Sequence, residues 1–142
     1  MELSTNELMK QLNSCNNIED YLKENEEYFI KTTVAEYLYN MFDEKCLKKS
    51  RIFEKAEINE TYGYQILSGK KNPSRNAILS ICIGASFTLN ETQAALQTGN
   101  HPGLSPKSKR DSIIIYCINN HKSVIDTNLM LYEKGENTLT VS

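Results

Sequence analysis

The side chains of this chain that indicate a binding chemistry most clearly lie in the stretch Ala56–Arg75. Its pattern indicates the end of one helix, a tight turn, a short second helix that begins after Asn59, and a stop at Gly69. Three cations surround this stop: Lys70, Lys71 and Arg75. Cations in such a place suit contacts to phosphate. The order helix, turn, helix predicts a unit that sets one helix in a groove of nucleic acid.

Other kinds of site find no support in the sequence. The four cysteines are widely spaced and form no CxxC pair: Cys15, Cys46, Cys82, Cys117. Neither histidine stands at the spacing from a cysteine that a shared metal site would need. No glycine-rich phosphate loop, nucleophile with a base, or recognisable carboxylate pair is present. We therefore expect neither an enzyme nor a metal site, and no cofactor.

Charge is distributed unevenly along the 142 residues, although the formal net charge is only −2. Residues 1–44 hold three basic and ten acidic side chains, whereas residues 48–75 hold seven basic and three acidic ones. A second basic cluster consists of Lys107, Lys109 and Arg110. Basic charge concentrated around residues 56–75 is the electrostatic pattern expected of a segment that binds nucleic acid.

The first residues of the chain and its apolar runs allow an expectation of where in the cell the protein is located. Met1 is followed by Glu2, no signal-peptide pattern follows, and no apolar run approaches the length of a membrane span. These features predict a cytoplasmic protein that does not associate with a membrane.

Apolar residues recur at helical spacing throughout, which predicts an all-α fold of about seven helices. We expect residues 1–31 to form an acidic helical segment, residues 32–99 the main domain, and residues 100–135 a helical pair packed on it. Ile78, Leu79, Ile81 and Cys82 indicate that the helix after Pro73 is the most buried one. Gly99 and Gly135 are predicted to end helices, and residues 136–142 are predicted to be a frayed tail.

Several residues of the 56–75 stretch stand at the spacing of a known family. The small Ala56, the apolar Ile58 and Ile66, the Gly69 stop and the sequence Asn72-Pro73-Ser74 resemble the lambda-repressor-like (Cro-type, XRE) helix-turn-helix family over about residues 47–90. The whole chain also resembles small bacterial regulator-like proteins with extra helices at both ends. The resemblance implies a five-helix domain that binds double-stranded DNA with the helices at about 50–58 and 59–68, the second in the major groove.

The resemblance also implies roles for individual side chains. The bases would be read by four residues of the second helix: Glu60, Thr61, Tyr64, Gln65. The flanking phosphates would be contacted by Lys70, Lys71, Asn72 and Arg75. The basic charge around the motif adds Lys48, Lys49 and Arg51 as further phosphate contacts. Two positions depart from the family pattern. Glu57 replaces the usual glycine of the turn, and Gly63 replaces a buried aliphatic residue whose space we expect Tyr62 to fill.

Two functions follow as alternatives. The first is a transcriptional regulator that binds DNA as a homodimer through its C-terminal helices. The second is a protein-interaction module that reuses the helix-turn-helix without DNA, with the acidic segment around Glu19–Glu24, Glu26 and Glu27 as another surface for a protein partner. A continuous positive face favours the first, and a face interrupted by Glu57 and Glu60 favours the second.

Overall fold

A computed structural model describes residues 4–25 and 33–141 of the chain. Within these residues the fold is all-helical, with nine helices and no strands. They are α1 (Thr5–Ser14), α2 (Ile18–Glu24), α3 (Val34–Glu44), α4 (Lys49–Lys55), α5 (Glu60–Leu67), α6 (Arg75–Gly84), α7 (Leu89–Thr98), α8 (Lys109–Asn119) and α9 (Val124–Glu133). The predicted fold class is confirmed at this level. None of these helices is long and apolar enough to cross a membrane.

The expected number of about seven helices is wrong, because the acidic N-terminal segment contains two. Ser4 forms a capping box with Glu7 at the start of α1, and the side chain of Asn17 accepts a hydrogen bond from the backbone of Glu19 at the start of α2. Two separate caps make two helices. The chain divides into two units, Met1–Lys31 and Thr32–Ser142. Glu26 and Glu27 lie outside the described residues.

In the second unit, α6 is the central helix, as its composition predicts. Every residue from Ala77 to Gly84 is buried, and α6 packs against α4, α7 and α9. The side chain of Ser74 caps it by accepting a hydrogen bond from the backbone of Ala77. Gly84 allows α4 to approach closely, since a Cβ atom there would lie 3.0 Å from the backbone nitrogen of Ala56. The core therefore spans the helix-turn-helix and the C-terminal helices.

Most helices of this unit end in the same way, with a residue in the left-handed conformation. Five of these residues are not glycine: Cys46, Glu57, Ser86, Asn100, His121. In each case the next residue donates a backbone hydrogen bond back to the last turn, as Ile58 does to the carbonyl oxygen of Phe53 at 3.0 Å. This geometry ends α4 at Lys55, three residues before the predicted end of that helix.

The predicted stop at Gly99 is displaced by one residue for a related reason. Gly99 has an ordinary φ of −84°, and Asn100 takes the left-handed conformation. Gly99 is instead close to the core, where a Cβ atom would lie 2.7 Å from Cδ1 of Ile78. The predicted stops at Gly69 and Gly135 do have positive φ angles, of 82° and 76°.

The C-terminal tail is not frayed over the residues that the structure describes, which corrects the expectation for 136–142. Leu139 is 1% exposed, and its backbone nitrogen donates to Oδ1 of Asn128 at 2.7 Å. Ser80 donates to the carbonyl oxygen of Leu139, and Arg110 donates to those of Asn137 and Thr138. The tail is therefore held by α6, α8 and α9. Ser142 lies outside the described residues.

Candidate nucleic-acid interface

Helix α5 has one buried face and one exposed face. Asn59 caps it, with Oδ1 accepting a hydrogen bond from the backbone nitrogen of Tyr62 at 3.3 Å. Gly63, Ile66 and Leu67 are buried, and their spacing of three and four residues places them on one side of the helix. The helix packs through this side against α3 and α4. The opposite side is left free to meet a ligand.

The contact between α4 and α5 depends on Gly63. A Cβ atom at this position would lie 2.6 Å from the ring of Phe53, so the ring rests directly on the glycine backbone. Phe53 is buried, whereas Tyr62 is only half-buried. The space beside Gly63 is therefore filled by Phe53 from α4, and not by Tyr62 as the sequence led us to expect.

The four predicted base-reading residues of α5 differ in how far they are exposed. Glu60, Thr61 and Tyr64 are exposed, and Gln65 is half-buried. The ring of Tyr64 meets the ring of Phe53 edge-on, with a centroid distance of 5.2 Å, while 44% of the residue stays exposed. Tyr64 is thus oriented by the core although it faces solvent.

The loop after α5 presents three of the predicted phosphate-binding residues. Lys70, Lys71 and Asn72 are all exposed. The backbone of this loop is fixed at its start, where the nitrogen of Lys71 donates to the carbonyl oxygen of Gln65 at 3.2 Å. It is also fixed at its end, where Nε2 of His101 lies 3.0 Å from the carbonyl oxygen of the buried Pro73. The loop therefore holds free cations on an anchored backbone.

Arg75 is not available for a phosphate, which corrects its predicted role. Nη1 and Nη2 donate to the two carboxylate oxygens of Asp111 at 3.1 and 3.0 Å. Nε and Nη2 also donate to the carbonyl oxygens of Pro102 and Gly103. These bonds join the start of α6 to the start of α8. Arg75 is therefore a structural residue that holds the end of the loop.

Asp111 is held as a carboxylate by this arrangement. Burial alone would raise its pKa, but the hydrogen bonds from Arg75 and from the backbone of Ser105 lower it below the ordinary value. Arg110 lies beside the pair and donates to Oδ1 of Asn76 at 2.9 Å. The sequence pattern indicated neither Asp111 nor His101 as an anchor of the loop, because both lie 28 to 36 residues away from their partners in the chain.

The cations at the start of α4 have different surroundings. Nζ of Lys49 lies 4.3 Å from the centre of the Tyr39 ring on α3, in a cation–π contact. Lys48 and Arg51 instead line an open cleft of about 880 Å³ between the helix-turn-helix and the start of α9. Glu54, Glu57, Glu60 and Lys122 line the same cleft. The positive face expected from the sequence is thus interrupted by carboxylates on this side.

Other kinds of site gain no support from the part of the chain that the structure describes. No group of three or more side chains there could hold a metal ion. Cys82 and Cys117 are buried, and burial raises the pKa of the Cys82 thiol to about 12, so that it stays protonated. Searches of protein-family models, curated proteins and solved structures gave no significant match to this chain.

Proposed function

We propose that this chain is a sequence-specific regulator that binds double-stranded DNA through a lambda-repressor-like domain formed by α3–α7. One observation carries the proposal. The Phe53–Gly63 contact holds the buried side of α5, while Glu60, Thr61 and Tyr64 are exposed on its other side. Lys70 and Lys71 are exposed in the loop that follows the helix. A short anchored helix with polar side chains outward and cations beside it suits the major groove.

The exposed side chains divide into two roles. Gln65 can form two hydrogen bonds with adenine, and Glu60 can accept one from cytosine. Lys70, Lys71 and Asn72 supply phosphate contacts, which fix the helix in the groove without reading the sequence. Lys48 and Arg51 lie in the cleft beside α4 among carboxylates and add little to these contacts, whereas Arg75 holds the loop through Asp111.

A single α5 reads too few base pairs for a specific site. The helix has eight residues, and three of them are exposed: Glu60, Thr61 and Tyr64. Helix-turn-helix proteins meet this limit by binding two half-sites as a two-fold dimer. We propose that the C-terminal helices α8 and α9 provide the contact between two copies.

The test is selection of bound fragments from a random pool of double-stranded DNA, followed by titration of the selected site at two salt concentrations. We expect a two-fold motif whose affinity falls as salt rises, because bound phosphates release counterions. Replacing Lys70 and Lys71 by alanine should weaken binding. The control is Lys107→Ala, which removes an exposed cation from the start of the C-terminal pair. This variant should bind as the wild type does. Absence of both enrichment and low-salt binding would contradict the proposal.

A second candidate function is a protein-interaction module, which the cleft beside α4 favours. Glu54, Glu57 and Glu60 lie with Lys48 and Arg51 along its walls, and this mixture would repel part of a phosphate backbone. If the selection fails, the same purified protein should be offered to synthetic peptide arrays of mixed charge. Binding that is lost in Arg51→Ala but kept in Lys107→Ala would support this alternative.

A further inference from the structure

Helix α3 exposes the aromatic side chain of Tyr39 next to the start of α4. Tyr39 is 48% exposed, although four other residues of α3 are buried in the core. Nζ of Lys49, the first residue of α4, lies 4.3 Å from the centre of the Tyr39 ring. The ring attracts an ammonium group at this distance through its quadrupole. Lys49 is therefore half-buried against the ring, whereas its neighbour Lys48 is exposed.

Tyr39 lies between the start of α4 and the end of α5. On one side it lines a hollow of about 170 Å³ together with Lys49. On the other side it lines a hollow of about 350 Å³ together with Glu36 and Gly69, and Gly69 directly precedes Lys70. Lys49 and the lysines after α5 therefore flank the same face of α3, away from the cleft that Lys48 lines.

The ring also decides whether the charge of Lys49 stays available. Asp43 lines the same hollow, yet these two residues form no salt bridge, because Nζ of Lys49 lies over the ring instead. Lys45 shows the opposite outcome on the next turn of the chain. Its Nζ lies 5.7 Å from the centre of the Phe87 ring but also 3.1 Å from Oε2 of Glu91, which neutralises it.

A held lysine has an advantage over a free one when it binds a phosphate. A long flexible side chain loses conformational entropy when it is immobilised, and this loss opposes binding. The contact with Tyr39 restricts Lys49 before the phosphate arrives, so that less entropy is lost on binding. The ring covers one side of the ammonium group, whose three N–H donors leave others for a phosphate oxygen.

We infer that Tyr39 is a positioning residue for DNA binding, whose ring holds Nζ of Lys49 ready to contact a phosphate. This inference rests on the proposed function and deepens it, because it adds a contact at the start of α4 to those of the loop after α5. Phosphate contacts at two separate places fix the orientation of α5 in the groove better than contacts at one place.

The first test is the proton NMR spectrum of the full chain without DNA, since an aromatic ring shifts protons above its face upfield. We expect upfield shifts for the methylene protons beside Nζ of Lys49 in the wild type and in Tyr39→Phe, which keeps the ring. In Tyr39→Leu these protons should return to ordinary positions. Ordinary positions in the wild type would overturn the inference, whether or not the protein binds DNA.

The second test is a double-mutant cycle on the affinity for the selected DNA. Lys49→Ala should weaken binding to all sequences alike and reduce the slope of log affinity against log salt concentration by about 0.9. Tyr39→Leu should weaken binding about three-fold when Lys49 is present and have no effect in the Lys49→Ala background. Tyr39→Phe should bind as the wild type does.

The matched control for the cycle is Lys55→Ala. It removes an exposed cation from the other end of α4, where Lys55 lines the cleft, and should change the affinity by less than about two-fold. Equal losses for Lys49→Ala and Lys55→Ala would overturn the inference. An effect of Tyr39→Leu that persists without Lys49 would also overturn it, since the ring would then act by another route.

These outcomes separate the inference from the proposed function. A wild type that binds a selected site while Tyr39→Leu leaves the affinity unchanged would refute the role of Tyr39 and retain DNA binding. A wild type that binds no DNA would refute both, even if the NMR shifts show the contact between Lys49 and the ring.

Discussion

Two basic clusters of this chain look alike in the sequence and differ in the structure. The first follows α5 and consists of Lys70, Lys71 and Arg75, and the second opens α8 with Lys107, Lys109 and Arg110. In the first cluster the two lysines are exposed, and only Arg75 is bound inside the fold. In the second, Lys109 donates to the carbonyl oxygen of Lys134, and Arg110 donates to the tail and to Asn76.

The difference teaches that clustered cations are not by themselves a binding surface. Whether a cation is free depends on carboxylates and carbonyl oxygens that arrive from elsewhere in the chain. Asp111 reaches Arg75 over 36 residues. In this protein the arginines of both clusters stabilise the fold, and the lysines after α5 remain available to phosphates.

The largest effect should come from removing Asp111. Asp111→Ala leaves Arg75 half-buried without its carboxylate and frees the backbone of Ser105, so we expect the free energy of unfolding to fall by about 3 kcal/mol. Urea denaturation measures it. Asp126→Ala is the matched control, because Asp126 has the same place after its cap serine but is exposed, and it should change stability by less than about 1 kcal/mol. Equal losses for both variants would contradict the role of the Arg75 pair.

Acid should weaken the same contact. The pKa of Asp111 is lowered in the folded state, so its contribution to stability is present above the ordinary aspartate pKa. That contribution is lost as the pH falls through the lowered value. We expect the stability difference between wild type and Asp111→Asn to shrink over this acidic range. Denaturation at a series of pH values checks this, and a constant difference down to the lowest pH would refute it.

A smaller loss should follow from crowding the helix that precedes the free lysines. Gly63→Ala places a methyl group 2.6 Å from the Phe53 ring, and overpacking of this kind costs about 2 kcal/mol. Thr61→Ala, on the exposed side of α5, serves as the control. Combining Gly63→Ala with Phe53→Leu should lower stability by less than the two single changes together, because the shorter side chain makes room. Strict additivity would indicate that the two residues are not in contact.

The smallest effect on stability should come from replacing the lysines after α5. Unlike Lys109 and Arg110 of the second cluster, the side chains of these lysines are not bonded to the rest of the described fold. Lys70→Ala with Lys71→Ala should change the free energy of unfolding by less than about 0.5 kcal/mol, since both are exposed. On the proposed function, this double variant weakens binding to all DNA sequences alike and lowers the salt dependence. Gln65→Ala should instead alter the sequence preference. A uniform loss of affinity in Gln65→Ala would refute its base-reading role.

The sequence predicts only some of the helix boundaries. Asn59 caps α5 as expected, because a cap side chain bonds to the backbone three residues away. The end of α4 was placed at residue 58 although the helix ends at Lys55, and the left-handed residue after α7 is Asn100 and not Gly99. The local pattern also predicted the exposed side of α5. It could not predict the partners of Arg75 or the anchoring of Leu139, since both are long-range contacts.

The cleft beside α4 has a further consequence for the direction from which DNA can approach. Three helices end at this cleft, α4, α6 and α8, and the starts of α4, α5 and α9 also line it. Helix ends carry partial negative charge and helix starts partial positive charge, each of about half an elementary charge, so these fields nearly cancel. The side-chain charges are nearly balanced as well, with four cations against three carboxylates: Lys48, Arg51, Lys55, Lys122, and Glu54, Glu57, Glu60. The cleft therefore attracts a phosphate backbone only weakly, and the stronger attraction comes from the side of Lys70 and Lys71.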